Sequence, residues 1–312
     1  MTNASRMARV IRHTARVARR GYPAASVEAM DRKVALRLVA PGGAVGAVLV
    51  ALLVLGSADE PRGAGARAAS TSATARPAAA RPSRAPVPIL TYHAIRTAPA
   101  DARLPSLFVR PREFAAEVRA LRRDGYRAVT LQRVWDAWHG RARLPRKPVV
   151  FSFDDGYASQ MKIALPVLRR ERWPAVLNLA LDWLDELGGD AALRRLIDAG
   201  WEIDGHSRTH PDLTRVSPAQ LADETAGARA ELQRRFGVPA HFFAYPGGRY
   251  DARVVAAVRQ AGYLAATTVH RGFATPAPAY ALARVQVDDG LGAGGLLRRL
   301  RELRSRAATP TD

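Results

Sequence analysis

The stretch Val149-Val150-Phe151-Ser152-Phe153-Asp154-Asp155-Gly156 is a short apolar run that passes straight into two carboxylates and a turn glycine. A run bounded in this way reads as a buried strand whose exit carries charge. Working outward, comparable runs occur at Val87 to Tyr92, Ala128 to Leu131, Ala175 to Leu181, Trp201 to Asp204, His241 to Tyr245, Leu264 to Thr268 and Leu282 to Val287. Segments of helical periodicity separate them: Arg112 to Arg123, Ser159 to Arg170, Ala191 to Ala199, Pro218 to Phe236 and Ala252 to Ala261. Ser217 with Gln220 three residues on predicts a capping box, and Gly125, Gly200, Gly237 and Gly262 mark helix ends. This alternation predicts an α/β fold with a parallel sheet closed as a (β/α) barrel, a distorted TIM-like one with about seven strands. In such barrels the chemistry gathers where strands end and loops begin.

Composition narrows the classes. The 312 residues are 48% hydrophobic and 24% charged, which fits a chain that folds, and there is no cysteine. Disulfide scaffolds, thiolate metal sites and cysteine nucleophiles are thereby excluded, so a metal would be held by His, Asp or Glu. The net charge is +20, carried almost wholly by arginine. Residues 1–37 hold nine of the basic residues and residues 57–86 five, which leaves 34 basic and 24 acidic residues, a net +10, for residues 87–312. About half of the excess therefore lies outside the globular part. No nucleic-acid motif and no basic stripe interleaved with aromatics accompanies the charge, so nucleic acid is not an expected partner.

Four segments follow. Residues 1–37 are a basic leader. Leu38 to Ala58 contains no charged residue over 21 positions, enough as a helix to span the roughly 30 Å of a bilayer core. The basic residues precede it, so the expectation is a transmembrane signal anchor with the leader in the cytoplasm and the rest outside. A cleaved signal peptide, with Gly56 and Ala58 near the cut and a secreted product, is the competing reading. Residues 59–86, rich in Ala, Pro, Arg and Ser, read as a disordered linker, and residues 87–312 as the folded domain. The terminal helix Leu296 to Arg306 reads as a solvated amphipathic helix, with contact to anionic lipid as the alternative.

The polar residues cluster at strand exits. Asp154 and Asp155 end one strand, and His206-Ser207-Arg208-Thr209-His210 follows the next strand but one. Two imidazoles four apart with one carboxylate, and positions left open for water, suit a catalytic Zn2+ or non-haem Fe2+ site. Two adjacent carboxylates can take different roles if a cation separates their protonation.

At this point the chain resembles the polysaccharide deacetylases of carbohydrate esterase family 4, which share the NodB homology domain. Ser152-Phe153-Asp154-Asp155-Gly156 is similar to the first family motif, His206 to His210 to the second, and Phe243-Ala244-Tyr245-Pro246-Gly247-Gly248 to the third. Val87 to His93 resembles the opening strand of the branch that deacetylates poly-N-acetylglucosamine. The resemblance implies metal ligation by Asp155, His206 and His210, with Zn2+ the leading ion and Fe2+, Co2+ or Ni2+ as alternatives. It implies Asp154 as general base, the Tyr245 backbone N–H beside Pro246 as oxyanion donor, and His93 as general acid, with His270 the competitor for that last role. The base-orienting Arg of the third motif is absent, and Arg249 is a candidate replacement. Trp183, Tyr250 and Phe273 are candidates to stack on a sugar ring. The implied reaction is hydrolysis of N-acetyl groups on an extracellular N-acetylglucosamine polysaccharide, poly-β-1,6-N-acetylglucosamine first. Peptidoglycan, chitin oligomers or a catalytically silent sugar-binding barrel are the alternatives, and a polysaccharide synthase or exporter is the expected neighbour at the membrane.

Overall fold

The computed structural model describes residues 81–308. The leader, the apolar stretch Leu38 to Ala58 and most of the linker lie outside the described residues. Among the described residues no helix is long and apolar enough to cross a membrane. Ala79–Asp312 forms a single compact unit, and the barrel and its core lie entirely within it.

The strands are β1 (Ile89–Tyr92), β2 (Arg127–Ala128), β3 (Pro148–Asp155), β4 (Val176–Leu179), β5 (Glu202–Gly205), β6 (Phe242–Ala244), β7 (Ala265–Arg271) and β8 (Leu282–Gln286). All pairings between them are parallel, in the order β1-β8-β7-β6-β5-β4-β3, and β1 also pairs with β3. That last pairing closes a seven-stranded barrel, as the alternation of short runs predicts. β2 is only two residues long and pairs with the start of β3 alone.

The helices are α1 (Pro111–Arg123), α2 (Leu131–Trp138), α3 (Leu165–Arg170), α4 (Leu184–Leu187), α5 (Gly189–Asp198), α6 (Pro218–Ala222), α7 (Ala228–Phe236), α8 (Ala252–Gln260) and α9 (Gly292–Ala308). The expected strand Ala128 to Leu131 stops at Ala128, and Leu131 instead opens α2. Thr130 decides this, because its side chain accepts a hydrogen bond from the Arg133 backbone N–H at 3.2 Å and caps the helix. The capping box at Ser217 and Gln220 is present. Within the expected helices Ser159 to Arg170 and Pro218 to Phe236, the segments Gln160–Ala164 and Asp223–Gly227 are π turns, which periodicity does not reveal.

Side chains alternate across the barrel wall. Phe151 and Phe153 of β3 join Tyr92, Phe114 and Trp173 in the core between strands and helices, while Val150 and the β1 residue Ile89 fill the lumen. α2 closes the floor of the barrel with Leu131, Val134 and Trp138 packed against that lumen cluster. Residues read as the end of the linker already bind here: Ser83 N–H donates to Ala137 O at 2.9 Å, and Trp138 Nε1 donates to Ala85 O at 3.1 Å. With the floor closed by α2, whose Gln132 N–H also donates to Glu202 at 2.9 Å, the strand exits that carry Asp154 and His206 are left at the opposite end.

Candidate active site

Ser152 and Asp154 share the inward face of β3, and the pairing register sets Asn178 of β4 beside Asp154. Asp154 is 1% exposed, and one of its oxygens is fully engaged: Oδ1 accepts from Asn178 Nδ2 at 2.7 Å and from Arg284 Nη1 at 2.9 Å. The other oxygen, Oδ2, faces His93 Nε2 at 3.8 Å. Burial raises the Asp154 carboxyl pKa, but the Arg284 guanidinium and the imidazoles of His206 and His93 outweigh it and hold the group well below the usual carboxylate range. Asp154 is therefore a carboxylate with one oxygen fixed and the other directed at an imidazole.

Asp155 breaks the strand alternation by adopting φ +79°, a left-handed conformation that Asp tolerates better than most residues. Gly156 follows at φ +116°, and a Cβ there would sit 2.7 Å from Leu179 Cδ1, so the turn requires glycine. The twist delivers Asp155 Oδ1 to within 3.3 Å of His206 Nε2 and 3.5 Å of His210 Nε2. The three potential ligand atoms lie within 4.8 Å of one another. His206 Nδ1 lies 2.8 Å from the Ala244 carbonyl and, as the donor, leaves Nε2 to face the cluster. Burial pushes the His210 imidazole down to about 4, so it is neutral near pH 7, the form that binds a cation. Burial also lowers His206, but the Asp155 and Asp154 carboxylates outweigh it and raise its pKa.

Asp155 Oδ1 is buried and accepts no hydrogen bond, though two imidazole nitrogens surround it. A buried carboxylate oxygen facing two imidazole nitrogens is a donor set suited to a divalent cation. The residues present therefore fit the implied metal.

Two site segments are each held by a side chain from a π turn, the helix irregularity that often occurs at functional sites. Gln160 Nε2 donates to Asp154 O at 2.6 Å and to His93 O at 3.1 Å, tying β1 to β3. Glu224 accepts from the backbone N–H groups of Arg208 and Thr209, both at 2.8 Å, and from Thr209 Oγ1 at 2.6 Å, fixing the loop between the two histidines. Glu224→Ala removes three of the loop's hydrogen bonds and leaves those of Ser207 and Arg208 to Leu181 and Asp182. We expect cation affinity to fall by about 10- to 100-fold, read by competition with a chromogenic chelator. An affinity equal to that of the parent protein would show that the loop holds itself.

Other expected residues fall differently. Arg249 is an exposed side chain whose guanidinium pairs with Asp212 at 3.6 Å, so it does not orient Asp154. Arg284 does. Its sequence signal was an arginine in the middle of the apolar run Leu282-Ala283-Arg284-Val285, and Asn178, inside Val176–Leu179, gave a similar one. The Tyr245 N–H donates to Thr267 O at 3.2 Å and is spent on the sheet, which removes it from the expected oxyanion role. Pro246 has no N–H, and among the described hydrogen bonds the next amide, that of Gly247, has no acceptor. His270 lies on the exposed end of β7 with its ring 6.0 Å from Tyr250, whereas His93 reaches Asp154. Trp183 stands 5.9 Å from His210, ring to ring. Tyr250 stacks on Tyr245 at 4.6 Å, and Phe273 packs against the main core.

Comparisons with known proteins agree with this geometry. Residues 141–266 match the family described as polysaccharide deacetylase. The protein YxkH of Bacillus subtilis is 28% identical over 211 residues, covering 66% of this chain and 73% of YxkH. The poly-beta-1,6-N-acetyl-D-glucosamine N-deacetylase of Escherichia coli K12 is 32% identical over 119 residues, which are 36% of this chain and only 17% of that protein. The solved structure of BC0361, a polysaccharide deacetylase from Bacillus cereus, superposes with a TM-score of 0.62 at 26% identity, covering 69% of each chain. IcaB from Ammonifex degensii gives 0.55 at 26% identity, covering 65% of this chain and 91% of that one. The segment at residues 141–266 is of the polysaccharide deacetylase (NodB/CE4) type, and the chain's homologues include a poly-β-1,6-N-acetylglucosamine deacetylase. It is thus a hydrolase domain acting on amide bonds.

Proposed function

We propose that this protein is a membrane-tethered, extracytoplasmic, metal-dependent N-deacetylase of an N-acetylglucosamine polymer, with poly-β-1,6-N-acetylglucosamine as its substrate. The observation that carries the catalytic part is the divided environment of Asp154: Oδ1 is saturated by Asn178 and Arg284, and Oδ2 is directed at His93. A divalent cation held by Asp155, His206 and His210, with Zn2+ suited to that donor set, would acidify a water and polarise the acetamide carbonyl.

Asp154 Oδ2 takes the proton of the water as its oxygen bonds to the carbonyl carbon. The Gly247 N–H, which has no acceptor among the described hydrogen bonds, would be the amide available to support the resulting oxyanion. His93 Nε2 then delivers a proton to the amide nitrogen as the C–N bond breaks, which leaves acetate and a free amine on the sugar. Gln160, bonded to the carbonyls of both His93 and Asp154, keeps base and acid in register.

The substrate reading rests on the position of His93 at the end of β1, after the opening strand that resembles the exopolysaccharide branch, and on the Escherichia coli relative. The tether reading rests on the uncharged stretch Leu38 to Ala58. Trp183 beside His210 offers a ring face at the edge of the cluster for a sugar, so Trp183→Ala is expected to raise KM about 5- to 10-fold with kcat little changed. A fall in kcat alone would place Trp183 outside sugar binding. Acetate release from β-1,6-linked and β-1,4-linked N-acetylglucosamine oligomers tests the substrate. Faster turnover of the β-1,6 series supports the proposal, and a preference for the β-1,4 series redirects it to peptidoglycan or chitin.

A further inference from the structure

The positive charge of the folded domain is gathered on one flank. In the barrel β8, β1 and β3 are neighbours, so the helices that follow them are neighbours too: α9 packs on α1, and α1 on α3. α1 carries four basic residues, Gln160–Arg170 three and α9 five, against Glu113, Glu117 and Glu302. These three segments therefore hold +9 of the +10 of residues 87–312, and the acids that border them, Glu171 and Asp288, neutralise only Arg122 and Arg299, with which they pair at 3.4 and 3.2 Å. Glu117 does not weaken the outer face, because it is fully buried behind α1 and accepts a hydrogen bond from Tyr92 at 3.0 Å. All the basic side chains except the half-buried Arg299 are exposed. Arg119, Arg123, Arg169 and Arg301 are in no described ion pair.

We propose that this flank, formed by α9, α1 and α3, is a docking surface for an anionic phospholipid bilayer. Charge complementarity is the first argument: each Arg near an anionic leaflet strengthens binding about fivefold, and the effect multiplies when several lie on one face. The second is the composition of the flank. It exposes no aromatic side chain on which a nucleic-acid base could stack. Instead, the exposed Arg169 and Arg170 of α3 lie beside the exposed Pro166 and half-buried Leu165, a mix of cation and aliphatic surface suited to the headgroup boundary. The third rests on the proposed anchor at Leu38 to Ala58, which would hold the domain near a membrane, where a modest affinity suffices. The flank is the side wall of the barrel, whereas Asp154, His206 and His210 lie at the strand ends. Docking by the flank therefore leaves the mouth open sideways to a polymer running along the membrane.

The test uses the compact unit starting at Ala79, which lacks the apolar stretch. Its sedimentation with vesicles of phosphatidylcholine alone is compared with that of vesicles containing about one third phosphatidylglycerol, at about 0.1 M and about 0.5 M salt. We expect anionic vesicles to bind at least about 20-fold more tightly at the lower salt and to lose that advantage at the higher. The combined Arg119→Gln, Arg123→Gln, Arg169→Gln and Arg301→Gln variant is expected to bind them at least about 50-fold more weakly, with its thermal melt and acetate release unchanged. Equal binding to both vesicle types, or a variant that binds like the parent, overturns the proposal. So does binding to duplex DNA as tight as to anionic vesicles, which would make the flank a general polyanion surface. Vesicle binding is read without turnover, so it stands or falls separately from the deacetylase reading.

Discussion

Asp154→Asn is expected to lower acetate release by about 1,000-fold while the protein keeps its fold and its cation. The amide is nearly isosteric and can still accept from Asn178 and Arg284 through its carbonyl oxygen, so the packing is kept, while the buried Arg284 loses its counter-charge and Tm is expected to fall. What is lost is a negative oxygen at the Oδ2 position, 3.8 Å from His93 Nε2. A carboxamide cannot accept the proton that a water must shed during attack. Steady-state kinetics together with metal analysis of the purified variant separates the effects. A large loss of kcat at full cation content supports Asp154 as the base. Retention of kcat within about tenfold would remove it from the chemistry.

Arg284→Met carries the second large effect, and it acts on both stability and pH dependence. Arg284 is 3% exposed and Asp154 is 1% exposed, so removing the guanidinium leaves a buried carboxylate without its nearest positive partner. Breaking a buried pair from one side costs about 3 to 5 kcal/mol, which should appear as a clear drop in Tm. Arg284 is also the foremost of the groups that lower the Asp154 pKa against its burial. With Arg284 gone the carboxyl pKa rises, and the carboxylate needed as a base is reached only at higher pH. The acidic limb of kcat/KM is therefore expected to move up, with activity partly recovered as the pH is raised. The sign for stability is the same: a depressed carboxylate pKa stabilises the fold above the unfolded value, and this contribution is lost as pH falls through the folded one. Arg284→Lys, which keeps the charge and loses the fork, is expected to restore part of the Tm and of the acidic limb. A pH profile unmoved in the Met variant would show that Arg284 is structural only.

The sequence made the barrel legible because its strands are short apolar runs with charged exits, and the two motif strands identify their own chemistry. Asp154, Asp155, His206 and His210 meet in space because two parallel strands end at the same height, which follows from the strand-helix repeat. Strand ends were less legible. Ala128 to Leu131 has the composition of a strand, yet Thr130 caps a helix, and one side-chain hydrogen bond decides between the two. Long-range partners were not legible at all. Arg284 lies 130 positions from Asp154 and reaches it only because β8 closes on β1 and β1 on β3. Closure is a property of the whole sheet, so local patterning pointed to Arg249, which is nearer to the motif but faces Asp212. Tyr245 failed for a similar reason, since only the pairing of β6 with β7 shows its N–H already engaged. Gln160 and Glu224 hold the site loops from π turns, and a one-residue widening of a helix leaves no mark on hydrophobic periodicity.

The most direct measurement of the central claim is acetate release by the unit starting at Ala79 after its metal has been stripped, with β-1,6-linked and β-1,4-linked N-acetylglucosamine oligomers as substrates. The account predicts that stripping abolishes release, that about one equivalent of Zn2+ per chain restores it, and that no amount restores it in His206→Ala. Undiminished release from a metal-free protein, or no release from either series by a folded, zinc-loaded one, would contradict it.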